Sequence, residues 1–187
     1  IPVALEVESF SLVRSLAGHD PTPLAITNIG FQESTLVIAD RSHLHAAHHF
    51  TRGSEELTRT LERGLGISRE RAESVKQEVG LSERIEEREI TSLITPLLES
   101  LFLEIERFIS IYNRKAERKV QKITLTGGGS NLKGLVELFA SRFGIEVTKG
   151  NPFSKVVSPP FMQPLLREIG QSFGVAVGLA LREISNK

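Results

Sequence analysis

Apolar residues recur along this chain with two different periods, and the switches between periods divide it. Leu5, Phe10, Leu12, Val13 and Leu16 predict a helix from Val3 to Leu16, stopped by Gly18 and Pro21. After Pro23 the period shortens. Leu24-Ala25-Ile26 and Thr35 to Ala39 are short β-rich runs, Asp40-Arg41-Ser42 is turn chemistry, and Leu44 to Phe50 returns as a strand. This predicts a hairpin or meander with a turn at Gly30.

Ser54-Glu55-Glu56 opens a helix, since a capping residue is followed by acids at the positive end of the helix dipole. Leu57 and Leu61 are its buried stripe, and Gly64 and Gly66 end it. Ser68 opens another, with Ala72, Val75 and Val79 at helical spacing and Gly80 as the stop. Leu81 to Arg88 is highly charged and reads as a solvated connection or a helix start. Ile90 to Arg118 is the longest periodic stretch. Leu97, Leu98, Leu101, Phe102, Ile105, Phe108, Ile109 and Tyr112 form one wide apolar face, and Pro96 falls near the start, where it is tolerated. A strand over Val120 to Thr126 runs into three glycines. A helix over Leu132 to Phe143, a short strand at Ile145 and Val147, a loop from Asn151 to Pro164 with four prolines, and a final helix from Ile169 to Ile184 follow. The order predicts an α/β fold with a mixed sheet, residues 1–50 and 119–187 forming the larger part and 51–118 an inserted, mainly helical one.

Composition removes several function classes. The 187 residues carry 23 basic and 23 acidic side chains, so there is no global field to gather nucleic acid or anionic lipid. The absence of cysteine excludes disulfides and thiolate metal sites and fits a reducing cytoplasm. The longest apolar stretch near the end, Phe173 to Leu181, is far below the roughly 20 residues of a membrane span. The chain starts at Ile1 and its one methionine is Met162, which reads as a fragment or a processed form.

Four places could carry chemistry. Ile123 to Thr126 runs into Gly127-Gly128-Gly129-Ser130 and then a helix; glycines let a ligand approach the backbone, and a helix start offers free N–H groups. The glycine spacing is neither a Walker loop nor a dinucleotide fingerprint, and a plain strand-to-helix turn is an equal reading of this stretch alone. Glu73 and Lys76, three apart, share a helix face; such pairs are most often solvated, and in a cleft they fit a ribose or an adenine edge. Asn28-Ile29-Gly30 ends a strand in a polar turn whose backbone can touch a phosphate, though an ordinary hairpin explains it as well. His43, His45 and His49 would share one strand face, but no cysteine or acid on that strand completes a zinc site, so no metal is expected. Gly170, Gly174 and Gly178 fit close helix packing against the sheet.

The succession of pieces resembles a known superfamily. Asn28-Ile29-Gly30, Arg52-Gly53-Ser54 opening a helix, Ala72-Glu73-Ser74-Val75-Lys76, Leu125 to Ser130 and the closing Gly174 to Ala180 are similar to the second half of actin-like (ribonuclease H-like) ATPases. Asn151-Pro152-Phe153, Val177 to Arg182 and the opening Leu5 to Arg14 most resemble the PilM family of type IV pilus assembly; the division protein FtsA is the close second. The resemblance implies ATP or ADP with Mg²⁺. The adenosine would lie between Gly127–Ser130 and the Glu73/Lys76 helix, the phosphates near Asn28 and Gly30, with Gly53 in close approach at the small subdomain. It also implies a cytoplasmic scaffold, peripheral at the inner membrane. A pilus inner-membrane protein would be gripped through an N-terminal half, and self-association is open. Two departures stand out. Asn28 replaces the usual metal-organising aspartate, and Gly53-Ser54 replaces paired glycines. They favour a nucleotide-binding scaffold over an active ATPase or sugar-kinase-type phosphotransferase.

Overall fold

The β-rich runs after Pro23 form an antiparallel meander of β1 (Leu24–Ile29), β2 (Ser34–Asp40) and β3 (His43–Phe50). β4 (Lys122–Thr126) joins parallel to β1, and β5 (Glu146–Lys149) parallel to β4, giving the order β3-β2-β1-β4-β5. This computed structural model describes residues 5–18, 21–82 and 84–182. All five strands come from outside residues 51–118. That stretch contributes α2 (Ser54–Leu65), α3 (Arg69–Val79) and α4 (Arg88–Lys115).

Strand alternation assigns the two faces of the sheet. Leu36 and Ile38 of β2 point into one core with Ile123, Leu125, Leu61, Phe102, Ile105 and Phe139. Val37 and Ala39 point into the other, with Leu12 and Val13 of α1 (Glu8–Leu16). The larger core runs without a break from the sheet into the helical insertion. Phe102 of α4 meets Phe139 of α5 (Leu135–Phe143) edge to face at 4.9 Å. Such contacts add specificity to the burial of two large rings.

Several boundaries differ from the sequence reading, each for a local reason. α1 begins at Glu8 because Glu6 leaves the helix to pair with Arg14, receiving hydrogen bonds of 2.7 and 2.5 Å; Val3 lies outside the described residues. α5 starts at Leu135 and not at Leu132, since Gly134 takes φ +79 and Gly128–Asn131 coil as a short 3₁₀ turn. The expected final helix is broken. α6 (Gln163–Ile169) starts inside the expected loop, with Pro164 in its first turn, a 3₁₀ turn spans Gly170–Phe173, and α7 (Gly174–Ala180) follows. The cause of the break is Gln171, whose carbonyl accepts from the Gly127 N–H at 2.7 Å and the Thr126 hydroxyl at 2.9 Å. The expected helix end, at 184, falls outside the described residues.

The period-four glycines do give close packing, though chiefly onto a helix. A Cβ at Gly178 would lie 2.0 Å from the Ser11 carbonyl oxygen of α1. Ser15 donates to the Gly174 carbonyl at 2.7 Å, and Arg14 to that of Gly178 at 2.8 Å. Only at Gly174 is the sheet also near, through Thr126 Oγ1 at 3.2 Å from a Cβ.

The Arg14 hydrogen bond holds the Glu6 carboxyl at about 2, against an ordinary 4.5; burial opposes this and the Ser11 hydroxyl assists it. A carboxyl depressed in the folded state contributes stability above its unfolded value and loses it as pH falls toward the folded one. Stability is therefore expected to drop between about pH 4.5 and pH 2. A Glu6→Gln variant should be less stable at pH 7 and show a shallower loss across that window, read from urea midpoints.

Candidate functional site

The three glycines after β4 do different work. Gly127 sits at φ +84, and a Cβ there would be 2.3 Å from the Ile29 carbonyl oxygen and 2.6 Å from Asn28 Oδ1. A Cβ at Gly129 would lie 2.4 Å from Ile29 Cγ2. Both are glycine because the turn presses onto the end of β1. Gly128 is different: its φ is not positive, and a Cβ would meet only Ser172 Oγ, at 3.7 Å. Ser130 is fully buried and closes the turn, its hydroxyl donating to the Gly127 carbonyl at 2.7 Å.

Gly128 opens onto a cleft of about 880 Å³. Gly128, Gly129 and Asn131 line one wall, Glu73, Lys76 and Gln77 of α3 another, and Arg167 with Gln171 to Phe173 a third. Lys76 is buried, 7% exposed, and its ammonium donates to Glu73 Oε2 at 2.7 Å, Thr58 Oγ1 at 2.8 Å and the Ser54 carbonyl at 3.3 Å. An ammonium has three donors, so all are used within the protein. Burial alone would raise the Glu73 carboxyl. The hydrogen bonds from Lys76, Thr58 and Gln77 outweigh it and hold the group ionised, below its ordinary value. Lys76 thus fastens α2 to α3 and fixes Glu73, whose side chain is the more exposed of the two at 37% against 9%. Glu73 and Gln77, joined at 2.9 Å, present the polar edge.

The remaining expected residues surround this cleft without lining it. Asn28 lies within β1, opposite Thr35 and Thr126, so the turn proper begins at Gly30. The Gly30 N–H donates to the Glu33 carbonyl at 3.0 Å. The first amides of α2 are occupied too. Ser54 N–H donates to Gly30 at 2.9 Å, and Glu55 N–H to Phe31 at 2.8 Å. That approach requires Gly53, where a Cβ would be 2.3 Å from the Phe31 carbonyl oxygen. Gly53 lines a separate apolar crevice of about 30 Å³, room for about one water.

The histidines do not share a face. His45 is the extra residue where the β2–β3 register slips, and it meets Tyr112 edge-on. His48 stacks on Phe108, and His49 turns the other way, toward Thr35 and Glu8. Among the described residues no group of three His, Cys, Asp or Glu could hold a metal, and no helix is long and apolar enough to cross a membrane.

A family model described as type IV pilus assembly protein PilM matches residues 3–184. The chain belongs to that family. Its relatives among solved structures include a PilM-PilN type IV pilus biogenesis complex. There the TM-score is 0.83 at 28% identity, over 97% of this chain and 53% of the other. Ethanolamine utilization protein EutJ from Carboxydothermus hydrogenoformans follows at TM-score 0.66 and 20% identity, over 93% and 53% of the two chains. MreB5 of Spiroplasma citri bound to AMPPNP matches at 0.66 and 13%, over 97% and 59%. The last two show the actin-like fold alone. The chain spans about half the length of these relatives.

The third cleft wall, residues 167–173, is not legible in the sequence, where 169–173 read as the start of an unbroken helix and 167–168 fall between that helix and the proline-rich loop. The one usable signal is Gly170, a poor helix former in the first turn of the helix expected there. The division of labour among the glycines has a direct test. Gly128→Ala should change stability by less than about 0.5 kcal/mol. Gly129→Ala should lose about 1–3 kcal/mol through overpacking against Ile29. Guanidinium unfolding of both variants measures the contrast.

Proposed function

We propose that this chain is the nucleotide-binding lobe of a PilM-type scaffold, with the base and ribose of ATP or ADP seated in the cleft between Gly128 and Glu73. Gly128 carries the reading. It is the glycine of the three that folding does not require, and its open face looks across a cleft large enough for a nucleoside at an ionised carboxylate and an amide. Pockets that hold such ligands combine apolar walls with a few fixed polar groups. Here Leu57, Leu132 and Phe173 supply the former and Glu73, Gln77 and Asn131 the latter. The phosphates would extend toward the Gly30 turn. The described residues offer no metal cage, so Mg²⁺ would be carried by phosphate oxygens and water, the usual habit of this cation. Asn28 adds no charge to organise it, which favours binding over efficient hydrolysis.

The scaffold part of the proposal rests on the family and on the relative solved with PilN. The chain would act in the cytoplasm, brought to the inner membrane by a PilN-type partner and not by a span of its own.

Calorimetry tests the cleft, using a family-length protein that contains this chain. The parent should bind ATP and ADP. Gly128→Val should abolish binding while leaving the unfolding midpoint in place. Thr58→Val, which removes one hydrogen bond from Glu73 and one from Lys76 without altering a residue that lines the cleft, should weaken binding by roughly 1 kcal/mol, about the worth of one hydrogen bond. A folded Gly128→Val protein that binds ATP like the parent would place the nucleotide elsewhere.

A further inference from the structure

The four histidines of β3 differ in what holds each ring. His43 Nδ1 donates to the Arg41 carbonyl at 2.7 Å, a neutral acceptor. His45 meets the Tyr112 ring edge-on. His48 stacks on Phe50 and Phe108, with Nε2 3.7 Å from the Glu104 carboxylate. His49 is held by Nδ1, which lies 3.0 Å from Thr35 Oγ1, and the Thr35 hydroxyl donates to Glu8 Oε1. A carboxylate only accepts, and a hydroxyl has one hydrogen to give. The Thr35 hydrogen therefore belongs to Glu8, and His49 Nδ1 is the donor to Thr35. In the neutral ring the free lone pair is then on Nε2. Thr35 is 1% exposed, so water does not compete for its hydroxyl, whereas the His49 side chain is 47% exposed. Its Nε2 has no hydrogen-bond or ion-pair partner among the described residues.

From this relay of carboxylate, buried hydroxyl and imidazole we infer that His49 is a phosphoryl acceptor, taking a phosphoryl group on Nε2 from a small activated-phosphate donor. The Nε2 lone pair attacks phosphorus. The bond from phosphorus to the leaving group breaks, and its electron pair departs with that group; from phosphoramidate, whose nitrogen is already protonated, the leaving group is ammonia. The ring then carries the phosphoryl group on Nε2 and the proton on Nδ1, and with them a positive charge. Glu8 Oε1, 3.8 Å from Nδ1, stands where that charge develops and stabilises it. A nucleophile and an orienting group backed by a carboxylate is the arrangement that activates an imidazole. His43 has the same tautomer without the carboxylate, and His48 presents its Nε2 to one.

Position selects phosphorus as the electrophile. Thr35 is the cross-strand partner of His49 on one side and of Asn28 on the other. Asn28 leads into the Gly30 turn, toward which the phosphates of the proposed nucleotide extend. His49 is therefore two strands away from that end of β1, about 10 Å at the usual strand spacing. A nucleoside triphosphate in the cleft is the donor this places nearest. That choice of donor rests on the cleft reading, whereas the activation of His49 rests on Thr35 and Glu8 alone.

The test is reaction of this chain with phosphoramidate at neutral pH, with each phosphohistidine mapped by mass spectrometry and its isomer read by phosphorus NMR. His49 should be modified on Nε2, about ten-fold faster than His43, the exposed control whose Nδ1 donates to a neutral carbonyl. Thr35→Val, close in shape, should slow His49 about ten-fold and leave His43 at the parental rate, and Glu8→Gln should do the same. The unchanged His43 rate, with an unchanged unfolding midpoint, reports that the variants are folded. Equal rates at His49 and His43 in the parent overturn the proposal, and so does a product on His49 Nδ1; neither outcome requires a variant to fold. A folded Thr35→Val protein whose His49 reacts like the parent overturns the relay. In a family-length protein, γ-labelled ATP should also label His49, and Gly128→Val should abolish that label without changing the phosphoramidate rate. Modification by phosphoramidate with no transfer from ATP would uphold the acceptor and count against the cleft as the donor's seat.

Discussion

Ile29 is the contact on which this fold turns. Its carbonyl and side chain press into the glycine turn after β4 so closely that neither Gly127 nor Gly129 can carry a Cβ. The parallel pairing of β1 and β4 ends at that point, and the freed Gly127 N–H reaches past the sheet to the Gln171 carbonyl. A carbonyl so used cannot serve its own helix. The C-terminal helix therefore breaks, and its 3₁₀ turn becomes a wall of the cleft. One crowded contact between two strand ends thus fixes the turn, the break and the cavity.

The two sheet faces are closed by different means. On one face long apolar side chains fill the space to the insertion helices, and non-directional burial suffices. On the other, α1 and α7 approach through Ser11, Ser15, Gly174 and Gly178, near enough for side chain to bond backbone across the pair. The Glu6–Arg14 pair lies at this junction and ties the chain entering α1 to the end of α7, through Arg14 and the Gly178 carbonyl. The first face tolerates volume-conserving exchange, whereas the second is set by atoms that have no larger substitute.

Much of this was legible in the sequence, and the exceptions have a common cause. The meander, the three insertion helices and the apolar face of α4 followed from periodicity, because burial on one side of an element writes itself into spacing. The cleft pair Glu73 and Lys76 was legible as a shared helix face, and the triple glycine as a close approach. What escaped notice was decided by partners far along the chain. Nothing near Gly128 tells it from its neighbours until Ile29 is placed, and nothing near Gln171 shows that its carbonyl belongs to Gly127. Lys76 read as a ligand contact until Thr58 and the Ser54 carbonyl were found to occupy it. His45 shifted face because of a register slip that no local pattern announced.

The length of α4 follows from the direction of β4. Since β4 runs parallel to β1, the chain must be carried back from the far end of the sheet before it can enter, and Gln121 marks its arrival by donating to the Pro23 carbonyl at 3.0 Å. The 28 residues of α4 reach about 42 Å at 1.5 Å per residue. The longest strand, of 8 residues, covers only about 26 Å at 3.3 Å each. The C-terminal half of the helix rests on the sheet, where Phe108 and Tyr112 meet β3. The surplus projects beyond it as a cantilever, and Gly64 of α2 closes on Leu93 there. The inserted helices are therefore carried at two places, on this overhang where Gly64 meets Leu93 and at the sheet end where the Ser54 and Glu55 amides hold the Gly30 and Phe31 carbonyls.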